Sequence, residues 1–424
     1  MRPGLVDGAH AGAGASAPVS AGRVRTPSGR TLAAATARRI RESRPPNTER
    51  AHRSRTEAFA AWCRDRGRIA TDPGTVPDWA GYLADLQHPA DTIAAYVAPV
   101  AASLALSGHP LDAEDRAYVA AVIRHRSTEA ATSPDRSGEV LQAAECSRED
   151  LAAMLATLDR STVAGMRDAV TLCLDWYMAG RASEPAALDL ADVQPLTVQL
   201  VDETTGELRD WDALTVTLRR TKTNPYGRTR DAVRLLAQGD ATCPVAAWRA
   251  WVSVLDGAGI TSGPLLRRVR KGRLTTAGRP PADPRRAGGI GDRTIRNLIA
   301  DRARAAGLVR DWTAEERAVL STAAEACDLA AVASDTEREA LRTARRLARR
   351  RLRQSVARWS GHSMRRGRLR HWQRAGTPRH VMERGARYAP GSKALARYLD
   401  DQIAWTEHPD MPRGLRVPSP GEAA

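Results

Sequence analysis

The hydrophobic pattern of the chain is first regular over residues 47–130, where apolar residues recur every three or four positions. That period is typical of amphipathic helices. Four such segments follow one another: TERAHRSRTEAFAAWCRDRG, PDWAGYLADL, ADTIAAYVAPVAASLALSG and DAEDRAYVAAVIRHRS. Asp91 and Asp112 are the expected N-caps, and Gly108 is an expected C-cap. We therefore predict an all-α domain over residues 47–130.

The segments around this domain lack apolar periodicity. Residues 1–46 are rich in Ala, Gly, Ser, Pro and Arg, so we expect a disordered basic tail there. Residues 131–146 begin with Ser, Thr, Pro and Gly, which is the composition of a linker. Residues 410–424 contain several prolines and glycines, and we expect them to form a flexible C-terminal tail.

A second domain is predicted over residues 147–409. SREDLAAML begins with a capping box, and VAGMRDAVTLCLDWYMAG is apolar enough for a buried helix. TVQLVDE and DALTVTLRR alternate apolar and polar residues as strands do, TNPYGR is a turn, and DAVRLLA is the expected returning strand. Further helices follow, including a helical insert at about residues 313–353. The predicted fold is mainly α with a small antiparallel β-sheet.

The charge of the chain narrows the classes of function. Among 424 residues, 65 are Lys or Arg and 49 are Asp or Glu, which gives a formal net charge of +16. A field of this sign attracts polyanions, and nucleic acid is the commonest one in a cell. GC-rich coding bias is the alternative explanation. It accounts for Arg in place of Lys, but it does not account for an excess of base over acid.

The cysteines and the hydropathy profile argue against a disulfide-rich, membrane or secreted protein. The five cysteines are widely spaced and include no C-x-x-C pair, so we expect reduced thiols, with no disulfide framework and no metal site. No apolar run has the length of a membrane span, and the N-terminus has no compact apolar region of the secretory type. We expect no membrane partner and a cytoplasmic, nucleoid-associated protein.

One basic segment, SGHSMRRGRLRHWQRAG, contains five arginines, two histidines and no acidic residue. It ends a longer stretch, from Arg342 to Arg374, that contains thirteen arginines and no Asp or Glu. A solvated helix face normally alternates the two signs of charge. An anion outside the segment is therefore expected to balance it, although the part from Arg342 to Arg353 is equally consistent with a solvated helix face.

Separated motifs together supply the groups needed for phosphoryl transfer without a metal. Such a reaction needs fixed cations around the phosphate, a nucleophile, and an acid for the departing oxygen. Arginine suits the first role because its planar fork donates two parallel hydrogen bonds and stays charged. The candidates are Arg181 and Glu184 in MAGRASEPAALDL, Lys222 in RRTKTNPYG, His362 and Arg365 in GHSMRRG, and Tyr398 in KALARYLDD.

At these residues the chain resembles the tyrosine recombinase (phage integrase) family. The signature of that family is an Arg in a G-x-R-x-S-E-like turn, a hairpin Lys, an H-x-x-R helix, a His or Trp, and a Tyr nucleophile. The order is kept here, and Tyr398 follows His362 by 36 positions, close to the usual separation. Residues 47–130 resemble the helical core-binding (SAM-like) domain, and residues 147–409 resemble the α+β catalytic domain.

The resemblance implies a role for each residue. Arg181 and Arg365 would hold the scissile phosphate, and Tyr398 would attack it to give a 3′-phosphotyrosyl link. Lys222 would protonate the leaving 5′ oxygen. His362 would hydrogen-bond the phosphate and assist proton transfer, while Glu184 would orient its neighbours. The resemblance also implies that the reaction needs no cofactor, metal or ATP.

The His or Trp of the family has no direct match in this chain. That residue usually precedes the nucleophile by about nine positions, where this chain has Ala389. We assign the role to Tyr388, one position earlier, which also makes Tyr388 a rival nucleophile. Tyr398 is preferred because it lies in a helical run, whereas Tyr388 comes just before Pro390. The arginines expected to follow the DNA backbone are Arg353, Arg358, Arg366, Arg368 and Arg370.

The expected partners are duplex DNA with specific recombination sites and three further copies of the chain, as a homo-tetramer on DNA. An accessory DNA-bending factor is an option that the resemblance leaves open. We also expect Ile403 and Trp405 to pack against a neighbouring copy. Two alternatives remain: a non-catalytic architectural DNA-binding protein with the same fold, and an activity like that of type IB topoisomerases.

Overall fold

The computed structural model describes residues 23–25, 31–42, 46–133, 142–219, 221, 224, 231–275 and 287–399. The described chain is mainly helical and contains a small antiparallel sheet, as the sequence predicts. It divides into two compact units, residues 1–140 with 326–347, and residues 141–325 with 348–424. Lys222, Ile403, Trp405 and the expected tail at 410–424 lie outside the described residues.

The first unit contains the four predicted helices, packed around an aromatic core, and a further helix that was not predicted. Its helices are α1 (Ala34–Glu42), α2 (Pro46–Asp65), α3 (Thr75–Asp85), α4 (Ala90–Leu106) and α5 (Ala113–Thr132). Phe59, Trp62 and Trp79 are buried with ring centroids 5.3–6.3 Å apart, so aromatic contacts fill the space between α2 and α3. Asp112 caps α5 through the backbone N–H of Asp115, as predicted.

Two local expectations for this unit are wrong. α4 begins after Pro89, and Asp91 lies in its first turn without capping it, because proline already fixes the entry to the helix. Within residues 1–46, where we expected no structure, β1 (Arg23–Arg25) pairs with β2 (Thr31–Ala33), and α1 follows directly. The run AATARRIRE is rich in Ala and Arg, whose high helix propensity outweighs the weak apolar pattern.

The second unit begins with α6 (Arg148–Ala156) and α7 (Val163–Tyr177). The sheet follows in the order β3 (Val193–Val201), β4 (Leu208–Leu218) and β5 (Asp231–Leu236), all antiparallel. The next elements are α8 (Pro244–Gly257), the short strands β6 (Val269–Arg270) and β7 (Arg273–Leu274), and α9 (Asp292–Ala305). These elements confirm the predicted capping box at Ser147, the buried helix and the three strands.

The predicted insert at residues 313–353 is helical, with α10 (Ala314–Leu320), α11 (Thr322–Ala331) and α12 (Asp335–Ser355). Residues 326–347 group with the first unit. Acidic residues of α11 balance part of the arginine run of α12, since Arg345 pairs with Asp328, and Arg349 lies 2.7 Å from Glu325. The sequence shows no acid within the run because the compensating carboxylates lie on the preceding helix.

The chain ends its described part with α13 (Gly361–Arg374), α14 (Arg379–Gly385) and the single turn α15 (Lys393–Ala396). α13 packs against α7, and both are fixed to the segment before α6. Cys146 provides the link, because its carbonyl accepts a hydrogen bond from Trp176 Nε1 (2.9 Å) and its N–H donates to the Ser363 carbonyl (3.2 Å). The close approach requires Gly367, where any side chain would meet this backbone.

The packing at Gly367 gives a direct test of the fold. A Cβ at this position would lie 1.6 Å from the Cys146 carbonyl oxygen, so Gly367→Ala must displace α13 or the segment beside it. We expect destabilisation of about 1–3 kcal/mol or more, measured as a lower Tm, although Gly to Ala in a helix is ordinarily stabilising. Gly257→Ala is the matched control, because nothing lies within 4 Å of its Cβ. Equal melting temperatures for the two variants would contradict this packing.

Candidate active site

The predicted site residues converge where three segments meet at the end of α7. The chain leaves α7 through a tight turn in which Ala179 has a positive φ of 45° and the Gly180 N–H donates to the Asp175 carbonyl (2.8 Å). Gly180 is required there, because a Cβ would lie 2.5 Å from Asp175 Oδ1. This turn directs Arg181 toward the N-terminal part of α13 and the segment after α14.

Arg181 is anchored by Glu184. The Arg181 guanidinium donates to Glu184 Oε1 (3.0 Å), and its backbone N–H donates to Oε2 (3.1 Å). The Glu184 side chain is almost fully buried, whereas 17% of the Arg181 side chain is exposed. Arg181 therefore keeps a fixed orientation with part of its guanidinium accessible, as an anion-binding group requires.

Arg365 is completely buried, which differs from the expectation that it faces a DNA phosphate. Its guanidinium donates to the carbonyls of Ala179 and Ala386 (2.5 Å each), and its Nε donates to the Tyr388 hydroxyl (3.1 Å). The Tyr388 ring covers it, with the guanidinium carbon 4.5 Å from the ring centroid. Arg365 therefore holds the turn before Arg181 and the segment before Tyr388 together.

A second buried arginine, Arg387, completes this arrangement, and the sequence analysis missed it. Its Nη2 lies 2.5 Å from Glu184 Oε2, and its Nη1 donates to the Met178 carbonyl (2.9 Å). Its φ of 59° is in the left-handed region, which costs energy for a residue with a Cβ. No motif singles out Arg387, and only the adjacent Tyr388 drew attention to this segment.

Asp175 is the other group that the sequence did not indicate. Its carboxyl is fully buried, and neither oxygen has a hydrogen-bond partner among the described residues. Burial, and secondarily the negative charge of Glu184, raises the pKa of Asp175 to about 8, although Arg365 and Arg387 oppose the shift. Asp175 is consequently protonated at neutral pH, in the last turn of a helix whose pattern is otherwise that of an apolar core.

Tyr398 and His362 form the accessible part of the site. The Tyr398 hydroxyl lies 3.0 Å from His362 Nδ1, and His362 is exposed at the first turn of α13, where Ser360 caps the helix. The ring of Tyr388 lies 6.3 Å from that of Tyr398. Burial, together with Tyr388, raises the pKa of Tyr398, while Arg365 and Arg181 oppose that shift. The hydroxyl thus needs a proton acceptor to become a nucleophile, and His362 Nδ1 is within reach.

The charges around this site do not balance. Arg181, Arg365 and Arg387 are cations, and among the described residues the buried carboxylate of Glu184 contacts two of them. Although burial by itself raises the pKa of Glu184, Arg387, the Arg181 backbone N–H and the Arg181 guanidinium lower it on balance. Because Asp175 is protonated, a net positive charge is left beside Tyr398, which favours an anionic substrate.

Lys222 lies outside the described residues. β4 ends at Leu218 and β5 begins at Asp231, and the two strands pair in register from these residues. Thr221, immediately before it, is buried and donates a hydrogen bond to Asp231 (3.2 Å).

The arginines predicted to follow DNA fall into two groups. Arg353 and Arg358 are exposed. Arg366 donates to the Ala143 carbonyl (3.0 Å), and Arg370 donates to Gln373 (3.1 Å). Arg368 lies 4.6–5.0 Å from three aromatic ring centroids, and burial lowers its pKa to about 10. These contacts show that α13 uses much of its positive charge internally, and DNA contact by the five residues stays a prediction.

The described residues contain no group of three or more His, Cys, Asp or Glu side chains placed to hold a metal ion. In the same part of the chain, no helix is long and apolar enough to cross a membrane. No protein-family model matches the chain, and a search of curated proteins finds no match.

The burial of Asp175 predicts an unusual pH dependence of stability. Between its ordinary pKa of 3.8 and its folded value of about 8, the unfolded chain has lost the proton that the folded chain keeps. Folding then takes up a proton, so this group lowers the free energy of unfolding as pH rises through that range.

Asp175→Asn keeps the shape and removes the titration. We therefore expect the stability of the variant, relative to the unmodified protein, to increase progressively from about pH 5 to about pH 8 in urea unfolding followed by tryptophan fluorescence. A stability difference that stays constant across this range would contradict a protonated Asp175.

Proposed function

We propose that the chain is a site-specific DNA strand transferase of the tyrosine recombinase type. The observation that carries this proposal is the contact between the Tyr398 hydroxyl and His362 Nδ1, beside a cluster of three arginines. A tyrosine hydroxyl with an adjacent base and a surplus of fixed positive charge suits nucleophilic attack on a phosphodiester. The same residues carry the resemblance to that family in the sequence.

The proposed reaction begins with attack of Tyr398 Oη on the scissile phosphorus. His362 Nδ1 accepts the hydroxyl proton, and the bond between phosphorus and the 5′ oxygen breaks as the new phosphorus–tyrosine bond forms. Lys222 supplies a proton to the departing 5′ oxygen. The product is a 3′-phosphotyrosyl link and a free 5′-hydroxyl. Attack by a 5′-hydroxyl from a second strand reverses these steps, so no ATP, metal or other cofactor enters the scheme.

The arginines have different roles in this scheme. Arg181 is partly accessible and oriented by Glu184, so it can donate to a non-bridging phosphate oxygen without rearrangement. Arg365 is covered by Tyr388, so its direct contact with phosphate requires the Tyr388 ring to leave its stacked position. Arg387 stays buried against Glu184 and acts as a positioning residue. Tyr388 would then regulate access to Arg365 as well as occupying the place of the family His or Trp.

The rest of the chain is consistent with a protein that binds and pairs DNA sites. The helical first unit is proposed as the core-binding domain, and the second unit as the α+β catalytic domain. The net charge of +16 favours a duplex DNA partner, and the reaction requires copies of the chain on two sites, as in a homo-tetramer. An accessory DNA-bending factor and nucleoid association are consistent with this proposal.

The contact between Tyr398 and His362 favours catalysis over the architectural alternative, because DNA binding alone requires neither group. An activity of the type IB topoisomerase kind would use the same covalent step. Relaxation of supercoiled plasmid without exchange of strands between two sites would identify that activity.

The nucleophile assignment is tested by two matched variants. Tyr398→Phe removes one hydroxyl and little packing, so we expect it to retain DNA binding in a gel-shift assay and to form no covalent complex with DNA. Tyr388→Phe also loses one hydroxyl, here the acceptor of the hydrogen bond from Arg365, but it keeps Tyr398, so we expect it to form the covalent complex.

The assay is denaturing electrophoresis of protein incubated with a pool of nicked duplexes, with and without EDTA. Adduct formation by Tyr398→Phe but not by Tyr388→Phe would transfer the role to Tyr388. Inhibition by EDTA would contradict the metal-free scheme.

A further inference from the structure

The sheet of the second unit extends well beyond the core that supports it. β3 and β4 pair from Val193 and Val216 as far as Val201 and Leu208. Leu214, Val216 and Leu218 are buried on the core side, but every residue from Leu208 to Trp211 is exposed. At about 3.4 Å per residue, Leu208 lies roughly 20 Å along the strand from Leu214. The end of this hairpin therefore projects with both faces uncovered.

This projecting end carries most of the exposed apolar surface of the second unit. Among its described residues, six large apolar side chains are exposed, and five of them are at this end of the sheet: Leu200, Val201, Leu208, Trp211 and Leu236, with 37–64% of each residue accessible. Val201 and Leu208 pair on one face of the sheet, whereas Leu200, Trp211 and Leu236 lie on the opposite face. Isolated two-stranded hairpins are marginal in water, and exposed apolar side chains on both faces of such an end favour an interaction site. We call residues 199–211 the hairpin tip.

The hairpin tip is acidic in a strongly basic chain. It contains Asp202, Glu203, Glu207 and Asp210 against Arg209 alone, and Arg209 pairs with Asp202 (3.0 Å). Glu203, Glu207 and Asp210 form no ion pair with any described residue. A negative, apolar tip is repelled by DNA, so its partner is a protein surface with exposed apolar and basic groups.

The sixth exposed apolar residue lies on such a surface. Val381 is 45% accessible on α14, and His380 and Arg384 are exposed beside it on the same helix face. Arg384 forms no ion pair with the described residues, while Glu383, the acid of this helix, is buried and faces Arg379. The exposed face of α14 thus has an apolar side chain, Val381, beside the basic residues His380 and Arg384. Its apolar character and its positive charge complement the apolar side chains and the negative charge of the hairpin tip.

We propose that the hairpin tip of one copy of this chain docks on the exposed face of α14 of a second copy. The apolar side chains of the tip cover Val381, and Glu203 and Glu207 approach His380 and Arg384. Because the two surfaces differ, the contact is head-to-tail, and each copy uses both surfaces when the copies close into a ring. The inference rests on the proposed function in one respect: binding to DNA brings the copies together.

The size of the tip explains why DNA is needed. A stable interface buries about 800 Å² per partner with roughly 20–30 residues a side, whereas the tip supplies about half that number. The contact is too small to hold two free copies together at ordinary concentrations. Copies bound to neighbouring DNA segments have a high effective concentration, which makes a weak contact sufficient. The free chain is therefore expected to be monomeric, and assembly is expected only on DNA.

Cross-linking tests the contact without any requirement for catalysis. In a Cys327→Ser background, which removes the exposed native thiol, Glu203→Cys and Arg384→Cys are placed on two differently tagged copies. The copies are mixed on random-sequence duplex DNA long enough for several molecules and treated with a short bismaleimide. We expect a cross-linked heterodimer from this pair. Asp256→Cys, an exposed acid on α8, replaces Glu203→Cys as the matched control and should give little product.

Charge reversal provides the second arm. Two variants are compared: one carries both Glu203→Arg and Glu207→Arg, and the other carries Arg384→Glu. Each should lower the cooperativity of DNA binding several-fold and leave the affinity of a single copy for a short duplex nearly unchanged. Mixing the two reversed proteins should restore cooperativity, because the tip of one then matches α14 of the other.

Each outcome separates the contact from the proposed chemistry. Equal cross-linking by the Asp256→Cys control, or no restoration by the mixture, would overturn the docking proposal. If the cross-link forms while no tyrosine adduct is ever trapped, the docking stands and the proposed reaction fails. If the adduct forms without the cross-link, the reverse holds.

Discussion

The carboxylate of Glu184 fixes the geometry on which the rest of the site depends. It is buried at 3% exposure and contacts the backbone and guanidinium of Arg181 and the guanidinium of Arg387. An isolated buried carboxylate costs several kcal/mol, and the two arginines together offset that cost. The turn after α7 and the segment after α14 are therefore held to each other, and Tyr388 and Tyr398 follow from that placement.

The consequence of this arrangement is a surplus of positive charge that does not depend on solvent. Arg365 is held by backbone carbonyls instead of carboxylates. Asp175 remains protonated, so it does not cancel a guanidinium charge, and the single charge of Glu184 is smaller than that of the three arginines. Fixed charges of this kind stabilise a developing negative charge without reorganisation. Arg365 and Arg181 act to lower the pKa of Tyr398, but burial outweighs them and the pKa is raised. This is why a base at His362 belongs in the scheme.

The secondary structure of the second unit could be predicted well from the sequence because its signals are local. Alternation identifies β3 and β4, an apolar run identifies α7, and Ser147 caps α6 through contacts within three residues. The grouping of Arg181, His362, Arg365 and Tyr398 is an expectation from the resemblance to the tyrosine recombinase family. The short structured segments within residues 1–46 were missed, since their pairing has little apolar content.

The contacts that the sequence could not predict are those formed between distant segments. Arg387 reaches Glu184 across 203 positions, and Asp175 becomes protonated only because the fold buries it without a partner. The unbalanced arginines of the basic segment have partners elsewhere, including Glu145, which binds Arg374 twice, and the aromatic rings around Arg368. A count of charges along the chain cannot reveal this compensation.

The central claim is that Tyr398, placed by this arginine cluster beside His362, becomes covalently joined to DNA. The most direct measurement is mass-spectrometric mapping of the peptide that remains attached to nucleotide after the protein reacts with a pool of nicked, random-sequence duplexes and is digested with protease. The account predicts one peptide that contains Tyr398, linked through a 3′-phosphate. Attachment at Tyr388, or no attachment by protein that binds the duplexes, would contradict it.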